Sequence, residues 1–383
     1  MTPPPLAPLT GVVVVDLTGY IAGSYAAMML ADLGAAVLKV EAPEGDPFRE
    51  LPGFFGWNRG KRSIALNLKA PEGRAIVEGL AARADVVMEN MRPGVADRLG
   101  IGAERLRALN PRLIYCSVTA FGSTGPYIDR PGFDPLLQAM GGVMALQGFG
   151  GAPQYVRIAP TDYYAAALAT QAVLAALFVR ERTGAGQRVE TSLLHAVLAM
   201  QSGNVVDYRG KPSVVRDNPT YRLYQAADGE WLFLACGNQS FWVKLCKALG
   251  LEHLADDPRF ASWLLRLDNR EALLPLLDAT FRGKSRGEWL SILASHDIPA
   301  APVQTLAEFL DDPAVAEHAM VRDYDHPDVG PLRLMGQPLI FGDTPTQDPG
   351  PPPTLGQHTD EVLRELGHDA AAIAALRARR IVR

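Results

Sequence analysis

A single aspartate, Asp162, lies between a short polar segment and a long apolar one, and its position allows two kinds of chemistry. Residues 157–161 precede it, and residues 165–178 form a run of small apolar side chains that ends in a Thr-Gly turn. A helix beginning beside Asp162 would supply unpaired amide donors and a partial positive charge, which favour an ionised carboxylate. Such a carboxylate can act as a nucleophile. It can equally serve only as a helix cap, which is a common use of aspartate.

A second candidate site is the basic cluster at residues 57–63, where Arg59, Lys61 and Arg62 lie close together. Further cations of the same region are Lys69, Arg74, Arg92 and Arg98. Phosphate groups are one candidate ligand for this cluster. The alternative is a solvated loop face, because exposed charges contribute little energy and need no ligand to explain them.

The spacing of other residues excludes several common sites. The seven histidines contain no HExxH motif, and the three cysteines, Cys116, Cys236 and Cys246, contain no CxxC pair. The sequence therefore predicts neither a metal site nor a disulfide framework. The first turn, TGYIAGS at residues 18–24, lacks the GxGxxG order of a dinucleotide fold, and no GxxxxGK[ST] motif occurs. NAD binding and the common NTPase chemistry are accordingly disfavoured.

Composition and charge set wider limits. The chain has 383 residues and 48% hydrophobic content, which is enough for two lobes with a large core. A net charge of -5 and a pI near 5.8 argue against a general nucleic-acid binder. The N-terminal residues lack a basic segment followed by an apolar stretch, and the valine run at residues 12–15 is too short to span a bilayer. We therefore expect a cytoplasmic protein without a membrane segment.

The elements that position these residues follow from apolar periodicity. Short continuous apolar runs alternate with segments of helical spacing, which is typical of a mostly parallel sheet covered on both faces. The predicted strands are residues 11–17, 36–41, 85–89 and 113–118, and the predicted helices between them include residues 22–34 and 99–109. Residues 162–182 predict a buried helix. The first lobe is thus predicted to be α/β.

The second lobe is predicted to be smaller and α+β. Asp228-Gly229 between two apolar runs indicates a β-hairpin, and helical spacing follows at residues 241–249 and 270–281. The predicted division is a large domain, N-terminal part, at residues 1–207, a linker at 208–220, a small domain at 221–326, and a return strap with C-terminal helices at 327–383. Prolines and glycines dominate the strap, so we expect it to be extended rather than packed.

Eight short motifs occur in an order and spacing that closely resemble the class III CoA-transferase family. They are GKRSIAL (60–66), ENMRPGV (89–95), NPRLIY (110–115), FGSTGPY (121–127), RPGFD (130–134), TGAGQ (183–187), IPAAPV (298–303) and PTLGQHT (353–359). The resemblance spans nearly the whole chain. It implies a Rossmann-like large domain completed by the C-terminal strap, a small domain, and a ring-like subunit in an interlocked homodimer.

The family includes formyl-CoA, carnitine and succinyl-CoA-dependent transferases, and also α-methylacyl-CoA racemases. The transferase reading implies a class III CoA-transferase, EC 2.8.3.-, in which Asp162 forms an aspartyl anhydride and then an aspartyl-CoA thioester. Coenzyme A and acyl-CoA are then substrates, and no permanently bound cofactor is expected. The positions that match family CoA contacts are Ile21, Ala22, Leu66, Lys69, Asn90, Met91 and Arg98. Among these, Lys69 and Arg98 are the expected phosphate partners.

Further roles near the acid are left with alternatives. Gln138 either influences Asp162 or is a buried amide. The glycines Gly141-Gly142 and residues 148–151 either let the backbone approach the thioester or form ordinary turns. A small dicarboxylic acid such as succinate is the expected partner on one side. The residues Arg157, Tyr221 and Arg222 could recognise its second carboxylate, or they could be ordinary surface and packing residues.

One departure separates the two enzymatic readings. Racemases of the family pair the aspartate with a histidine, and Phe133 occupies the matching position, where a phenyl ring cannot carry a proton. A transferase is therefore favoured over the alternative of an α-methylacyl-CoA racemase or epimerase, unless His195 supplies the second base. A non-catalytic CoA-binding relative is the third alternative, and the presence of Asp162 argues against it.

Overall fold

The computed structural model describes residues 6–147, 152–208, 211–212, 218–318, 320–344, 348 and 350–383. Its strands are β1 (Val13–Asp16), β2 (Ala36–Glu41), β3 (Lys61–Ala65), β4 (Val86–Glu89), β5 (Ile114–Thr119), β6 (Arg188–Ser192), β7 (Asp207–Tyr208), β8 (Lys211–Pro212), β9 (Tyr221–Gln225), β10 (Trp231–Ala235), β11 (Ala300–Pro302), β12 (Val321–His326) and β13 (Gly330–Met335).

The helices cover both faces of the main sheet and fill the second unit. They are α1 (Ala22–Asp32), α2 (Pro52–Asn58), α3 (Pro71–Ala81), α4 (Val95–Arg98), α5 (Ala103–Leu109), α6 (Asp134–Met140), α7 (Val143–Leu146), α8 (Pro160–Thr183), α9 (Leu193–Ala199), α10 (Gln239–Leu249), α11 (Trp263–Asp268), α12 (Arg270–Phe281), α13 (Arg286–Ser295), α14 (Leu306–Leu310), α15 (Pro313–Glu317), α16 (Thr359–Glu365) and α17 (Ala370–Ala378).

The main sheet has six parallel strands in the order β3-β2-β1-β4-β5-β6, which is the order of a Rossmann-type doubly wound fold. Successive residues of β1 point to opposite faces: Val14 packs with α1 and α8, and Val15 packs with the side that α3 and α16 cover. Because both faces are buried, the strands are continuous apolar runs rather than alternating ones. The predicted α/β fold is confirmed.

Helix α8 is the longest helix of the described chain, and it belongs to the hydrophobic core on one face of this sheet. It packs against α1 and β5 through small buried residues, among them Ala165, Ala169 and Val173. By length and composition it could cross a membrane, but the packing of its buried face is that of a core helix. Small side chains on that face allow the close approach to α1 that the layer requires.

The chain divides into two compact units, Met1–Gly203 with Glu317–Arg383, and Asn204–Ala316. The sequence places the small domain at residues 221–326, after a linker whose residues 209–210 and 213–217 lie outside the described residues. In the second unit β9 and β10 pair antiparallel, which confirms the hairpin predicted around Asp228-Gly229. Its core is built from large rings, including Trp242, Phe260 and Phe281.

The return strap differs from the sequence expectation of an extended, unpacked segment. Its first residues form the turn and the second strand, β13, of an antiparallel hairpin whose first strand, β12, ends just before the strap, and Gly330 takes φ +73°. The turn residues thus mark a hairpin rather than an extended chain. Farther on, the Ser63 N–H donates to His358 Nδ1 at 3.1 Å and the His358 N–H donates to the Ser63 carbonyl at 2.9 Å. These bonds fasten the C-terminal segment to β3.

Candidate active site

A cavity of about 670 Å³ opens at the carboxyl ends of β1, β4 and β5. The sheet order reverses between β1 and β4, and in open α/β sheets this switch point is where ligands bind. The walls come from the loops after these strands, from the loop after β2, and from the starts of α6 and α8. The lining residues used below are Tyr20, Ile21, Ala22, Phe48, Asn90, Met91, Arg92, Arg130, Phe133, Asp134 and Asp162.

Asp162 lines this cavity from the first turn of α8, where it is the third helical residue. The helix begins at Pro160, and its N-cap is Ala159, which takes the left-handed conformation at φ 51°. Among the described residues, none donates a hydrogen bond to the Asp162 carboxylate, and its side chain does not cap the helix. The structure therefore removes the capping explanation and leaves the carboxylate facing the cavity.

Burial raises the pKa of Asp162 to about 7, and the negative charge of the neighbouring Asp134 adds to this shift. This direction is opposite to the one expected from the partial positive charge of a helix start. The partial charge of a helix end is worth less here than desolvation combined with a like charge. Within the described part of the chain, no lysine or arginine lies within ion-pair distance of Asp162.

Asp134 accepts hydrogen bonds from two groups and faces the start of α8. Its Oδ1 accepts the N–H of Thr161 at 2.9 Å, and its Oδ2 accepts Nε2 of Gln138 at 2.6 Å. Gln138 is fully buried, and it also donates to the Val156 carbonyl at 2.9 Å and accepts the Val156 N–H at 3.1 Å. Gln138 is thus a buried amide that fixes the segment leading into α8, and it does not line the cavity.

The CoA positions taken from the sequence separate into two groups. Ile21, Ala22, Asn90 and Met91 line the cavity together with Asp162. The three that do not line it are Leu66, Lys69 and Arg98. Leu66 is a core residue bridged to Val382, and the other two side chains are exposed. Leu66 therefore has no surface that faces a ligand in this unit.

Two arginines of the cavity are not among the CoA contacts implied by the resemblance, although Arg92 is one of the cations counted in the first lobe. Arg92 and Arg130 both line the cavity, and the guanidinium of Arg130 lies 4.4 Å from the ring centroid of Tyr127. The sequence could have indicated both arginines as site residues. Arg92 follows Asn90 and Met91 in one motif, and Arg130 is the first residue of the RPGFD motif. These are the cations that a phosphate in this cavity would meet.

The basic cluster at residues 57–63 was expected to be either a phosphate site or a solvated loop face, and two of its three cations are instead buried in ion pairs. Arg59 is fully buried in an ion pair with Asp32. Lys61 is buried with its Nζ 2.8 Å from Asp16 Oδ2. These two cations are thus neither a phosphate site nor a solvated face, because buried carboxylates already neutralise them. Of the three, Arg62 alone pairs near the surface, with Glu361 and Glu365.

Neither of the two candidate positions for a second base, Phe133 and His195, places a basic side chain in the cavity. Phe133 lines it with a phenyl ring. His195 is exposed on α9 and does not line the cavity, and its Nδ1 lies 2.9 Å from Oγ of the helix cap Ser192. The proton-transfer partner that a racemase requires is therefore missing at both positions.

The remaining site expectations concern glycines and metals. Gly141 ends α6, and Gly142 begins α7 at φ +82°; neither lines the cavity, so both are turn residues. Residues 148–151 lie outside the described residues. Among the residues that the structure describes, no cluster of His, Cys, Asp or Glu side chains could hold a metal ion, and the three cysteines are buried and free.

Comparison with known proteins gives a family for this fold and site. Residues 9–359 match the model of CoA-transferase family III. The chain is 35% identical over 390 residues to a succinyl-CoA:glutarate CoA-transferase of Mus musculus, covering 97% of this chain and 89% of that protein. It is 36% identical over 384 residues to a succinate–glutarate CoA-transferase of Agrobacterium fabrum, covering 94% and 96%. The crystal structure of a CAIB/BAIF family protein from Brucella suis superposes with a TM-score of 0.82 and 37% identity, covering 94% of this chain and 100% of that one.

Proposed function

The chain belongs to CoA-transferase family III, and we propose that it moves CoA from an acyl-CoA donor to a free carboxylic acid through covalent intermediates on Asp162. Transfer of CoA to an acid is the reaction class that the relatives share by name, EC 2.8.3.-. The covalent route, the acids and the residues that bind CoA are the parts proposed here.

One observation carries the covalent route. Asp162 is a partly buried carboxylate in the switch-point cavity, and it has neither an ion-pair partner nor a hydrogen-bond donor among the described residues. A carboxylate held by a cation is a weak nucleophile, because its charge is already stabilised. Asp162 lacks that stabilisation, so once ionised it can attack a thioester placed in the cavity.

The donor half-reaction starts with a carboxylate oxygen of Asp162 attacking the carbonyl carbon of the acyl-CoA. The carbon–sulfur bond breaks, and CoA thiolate and a mixed anhydride result. The thiolate then attacks the aspartyl carbonyl carbon. The bond to the bridging oxygen breaks, and the donor acid leaves with that oxygen, so that an aspartyl-CoA thioester remains.

The acceptor half-reaction runs through the same species in reverse. The acceptor carboxylate attacks the aspartyl carbonyl carbon and releases CoA thiolate, which forms the second anhydride. The thiolate attacks the acceptor carbonyl, acceptor acyl-CoA forms, and Asp162 returns as a carboxylate that carries one oxygen from the acceptor. A carboxylate suits this chemistry because its anhydride and thioester keep the transfer potential, provided that water is excluded.

The start of α8 offers little further stabilisation for the oxyanions of these steps. Pro160 has no N–H, Thr161 donates to Asp134, and the N–H of Tyr163 donates to the Ala159 carbonyl at 3.2 Å. In the first turn, the amide of Asp162 itself is left for an oxyanion. Other donors would have to come from elsewhere in the cavity or from the substrates.

CoA is proposed to lie along the loops after β1, β4 and β5. Ile21, Ala22 and Met91 offer mostly apolar surface to it, and Arg92 and Arg130 are its proposed phosphate partners. The earlier expectation for Lys69 and Arg98 loses support, because neither side chain lines the cavity. Leu66 is not proposed as a contact, since it is fully buried.

Small dicarboxylic acids are the proposed acids, with succinate on one side. The support is the printed activity of the two relatives, which act between succinate or succinyl-CoA and glutarate. Arg157 is exposed and does not line the cavity, so it gains no support as the second-carboxylate partner. The homodimer implied by the resemblance also stays a proposal, which sedimentation equilibrium of the 41.3 kDa chain would decide.

The test is to incubate the purified protein in D₂O with a panel of acyl-CoAs and free acids and to identify every thioester by mass spectrometry. New acyl-CoA species with unlabelled α-carbons are expected. 2-Methylacyl thioesters that keep their acyl group but gain deuterium at the α-carbon would instead show a racemase. Neither product, from a protein that binds CoA tightly, would contradict the enzymatic proposal for the acids tested.

A further inference from the structure

We propose that three rings, Tyr20, Phe48 and Phe133, form a fixed aromatic wall that keeps water away from acylated Asp162. This inference rests on the proposed function, since only an activated aspartyl intermediate needs such protection. All three rings line the cavity that Asp162 lines. They come from three different loops, so their assembly is a property of the fold.

The rings contact one another edge to face. The Tyr20 and Phe133 centroids are 5.5 Å apart with an angle of 73° between ring planes, and those of Tyr20 and Phe48 are 5.0 Å apart with an angle of 84°. Phe133 is nevertheless 49% exposed and Tyr20 37% exposed. Rings that contact each other, line a cavity and keep exposed apolar surface can cover a bound ligand without moving and so exclude water from it.

Phe133 is fixed relative to the acid through its own backbone. It is the N-cap residue of α6, and the next residue, Asp134, accepts the N–H of Thr161 at 2.9 Å. Thr161 in turn precedes Asp162. The ring and the nucleophile therefore belong to two helix starts that a single buried hydrogen bond joins.

Tyr20 is fixed in a conformation that a tyrosine rarely adopts. Its φ is 60°, in the left-handed region, and such residues persist only where their surroundings hold them. The side chain of Asn90 donates to the Gly19 carbonyl at 2.7 Å and accepts the Gly19 N–H at 2.9 Å. The Nζ of buried Lys39 donates to the Thr18 carbonyl at 2.9 Å. The two residues before Tyr20 are thus clamped.

Phe48 is fixed by the charged residues on either side of it. Asp46 Oδ1 accepts the Phe48 N–H at 2.9 Å, and Asp46 Oδ2 lies 3.0 Å from Lys39 Nζ. Arg49 donates twice to the buried Glu41, at 3.0 and 2.8 Å. Lys39 therefore holds both the Tyr20 loop and the Phe48 loop. Because its parts are clamped, the wall does not need to be ordered by the substrate.

The reaction that the wall would suppress is hydrolysis of the aspartyl-CoA thioester. Water adds to the aspartyl carbonyl carbon and the carbon–sulfur bond breaks. One water proton goes to the CoA thiolate and the other to solvent, and Asp162 is regenerated as a carboxylate. Each such event releases free CoA without forming acceptor acyl-CoA, so the ratio of free CoA to new acyl-CoA measures how well water is excluded.

The experiment measures this ratio with succinyl-CoA and glutarate for wild type, Phe133→Ala and Phe133→Leu. Phe48→Ala tests the wall from a second loop, and Phe309→Ala, at a ring outside the cavity that is 44% exposed, is the matched control. We expect the hydrolysis-to-transfer ratio to rise about tenfold in both alanine variants at the wall. Leucine should restore most of the exclusion, and the affinity for CoA itself should change by less than about twofold.

Equal losses of transfer and hydrolysis in Phe133→Ala and Phe48→Ala, with an unchanged ratio, would overturn the wall while leaving the proposed function intact. A rise of the same size in Phe309→Ala would overturn it as well. Failure of the proposed function looks different: the wild type itself would form no acceptor acyl-CoA, and the wall would then have no task. Tyr20→Phe should match wild type, since the wall uses the ring and not the hydroxyl.

Discussion

Two aspartates near the same edge of the sheet, Asp16 and Asp162, have opposite electrostatic surroundings. Asp16 ends β1 and is fully buried, with Lys61 Nζ at 2.8 Å and two hydrogen bonds from Thr18 at 2.9 and 2.5 Å. Burial alone would raise the pKa of Asp16, but the charges of Lys61 and Lys39 lower it instead. Asp162 has no such partner in the described chain, and its pKa is raised to about 7.

The difference shows how one fold uses the same side chain for two purposes. A buried carboxylate with paired lysines is neutralised and held, so it organises the loops around it. A buried carboxylate beside a second carboxylate is destabilised as an anion, so it is available for reaction near neutral pH. Charge pairing, rather than position in the sheet, thus separates the two acids.

The largest expected effect is on activity. Asp162→Ala should lower kcat/KM for CoA transfer by roughly 10⁴-fold or more, because the nucleophile is removed. Calorimetry should show that the variant still binds CoA. Asp162→Asn is a poorer choice, since deamidation would restore the acid. A variant that kept full activity would contradict the covalent route.

The complementary change removes the cation that neutralises Asp16. Lys61→Met should lower the free energy of unfolding by about 3–5 kcal/mol, because it leaves a buried carboxylate without its closest partner. Arg62→Met, at the adjacent position of β3, is the control and should cost under about 1 kcal/mol, since its ion pairs are partly exposed. Urea denaturation measures both. Equal effects would show that pairing at Asp16 is unimportant.

Removal of Asp162 should stabilise the protein rather than destabilise it. Its folded pKa of about 7 lies above the ordinary aspartate value of 3.8, so the free energy of unfolding decreases as the pH rises between these values. Above pH 7 the full penalty is present, and Asp162→Ala should recover roughly 2 kcal/mol of it. Denaturation at pH 5 and pH 8 measures the gain, which should be larger at pH 8. A variant less stable than wild type at pH 8 would contradict the raised pKa.

The cavity arginines should matter more for CoA than the surface cations. Arg92→Gln and Arg130→Gln should each weaken CoA binding about tenfold, which is about 1.4 kcal/mol. Lys69→Gln and Arg98→Gln should change it by less than about threefold, because their side chains do not line the cavity. Isothermal titration with CoA measures all four. The reverse ranking would restore the phosphate partners expected from the resemblance.

The smallest effect concerns the pH dependence. The kcat/KM of wild type should fall below about pH 7, where Asp162 becomes protonated. Asp134→Asn removes the negative charge that contributes to the raised pKa of Asp162, so the acid limb should move to lower pH. A pH–rate profile of both proteins measures the shift. An acid limb that stays in place would show that burial alone sets the pKa of Asp162.

Much of the fold could be predicted from local sequence, because a parallel sheet buried on both faces leaves continuous apolar runs at β1, β2, β4 and β5. The position of Asp162 at a helix start was predictable in the same way. Its raised pKa was not, since that depends on burial in the cavity and on the charge of Asp134, which only the folded chain brings near it. Local patterns carry no information about such a partner.

The basic cluster at residues 57–63 also shows that local sequence does not reveal which distant residue a charged side chain will pair with. No local sequence pattern distinguishes Lys61 from Arg62. Yet Lys61 is buried in an ion pair with Asp16, whereas Arg62 forms its ion pairs near the surface. Lys69 and Arg98 were expected at the cavity, but Arg92 and Arg130 line it instead. Which cations line it likewise depends on which loops meet at the switch point. Motif position identified the right region and could not rank the cations within it.

The covalent role of Asp162 is tested most directly by following oxygen. The protein would be taken through turnovers with succinyl-CoA and glutarate labelled with ¹⁸O in both carboxylates, then digested and examined by mass spectrometry. The account predicts that ¹⁸O appears in the peptide that contains Asp162, at its side-chain carboxylate, because the acceptor leaves one oxygen there in every cycle. Continued formation of glutaryl-CoA while Asp162 stays unlabelled would contradict it.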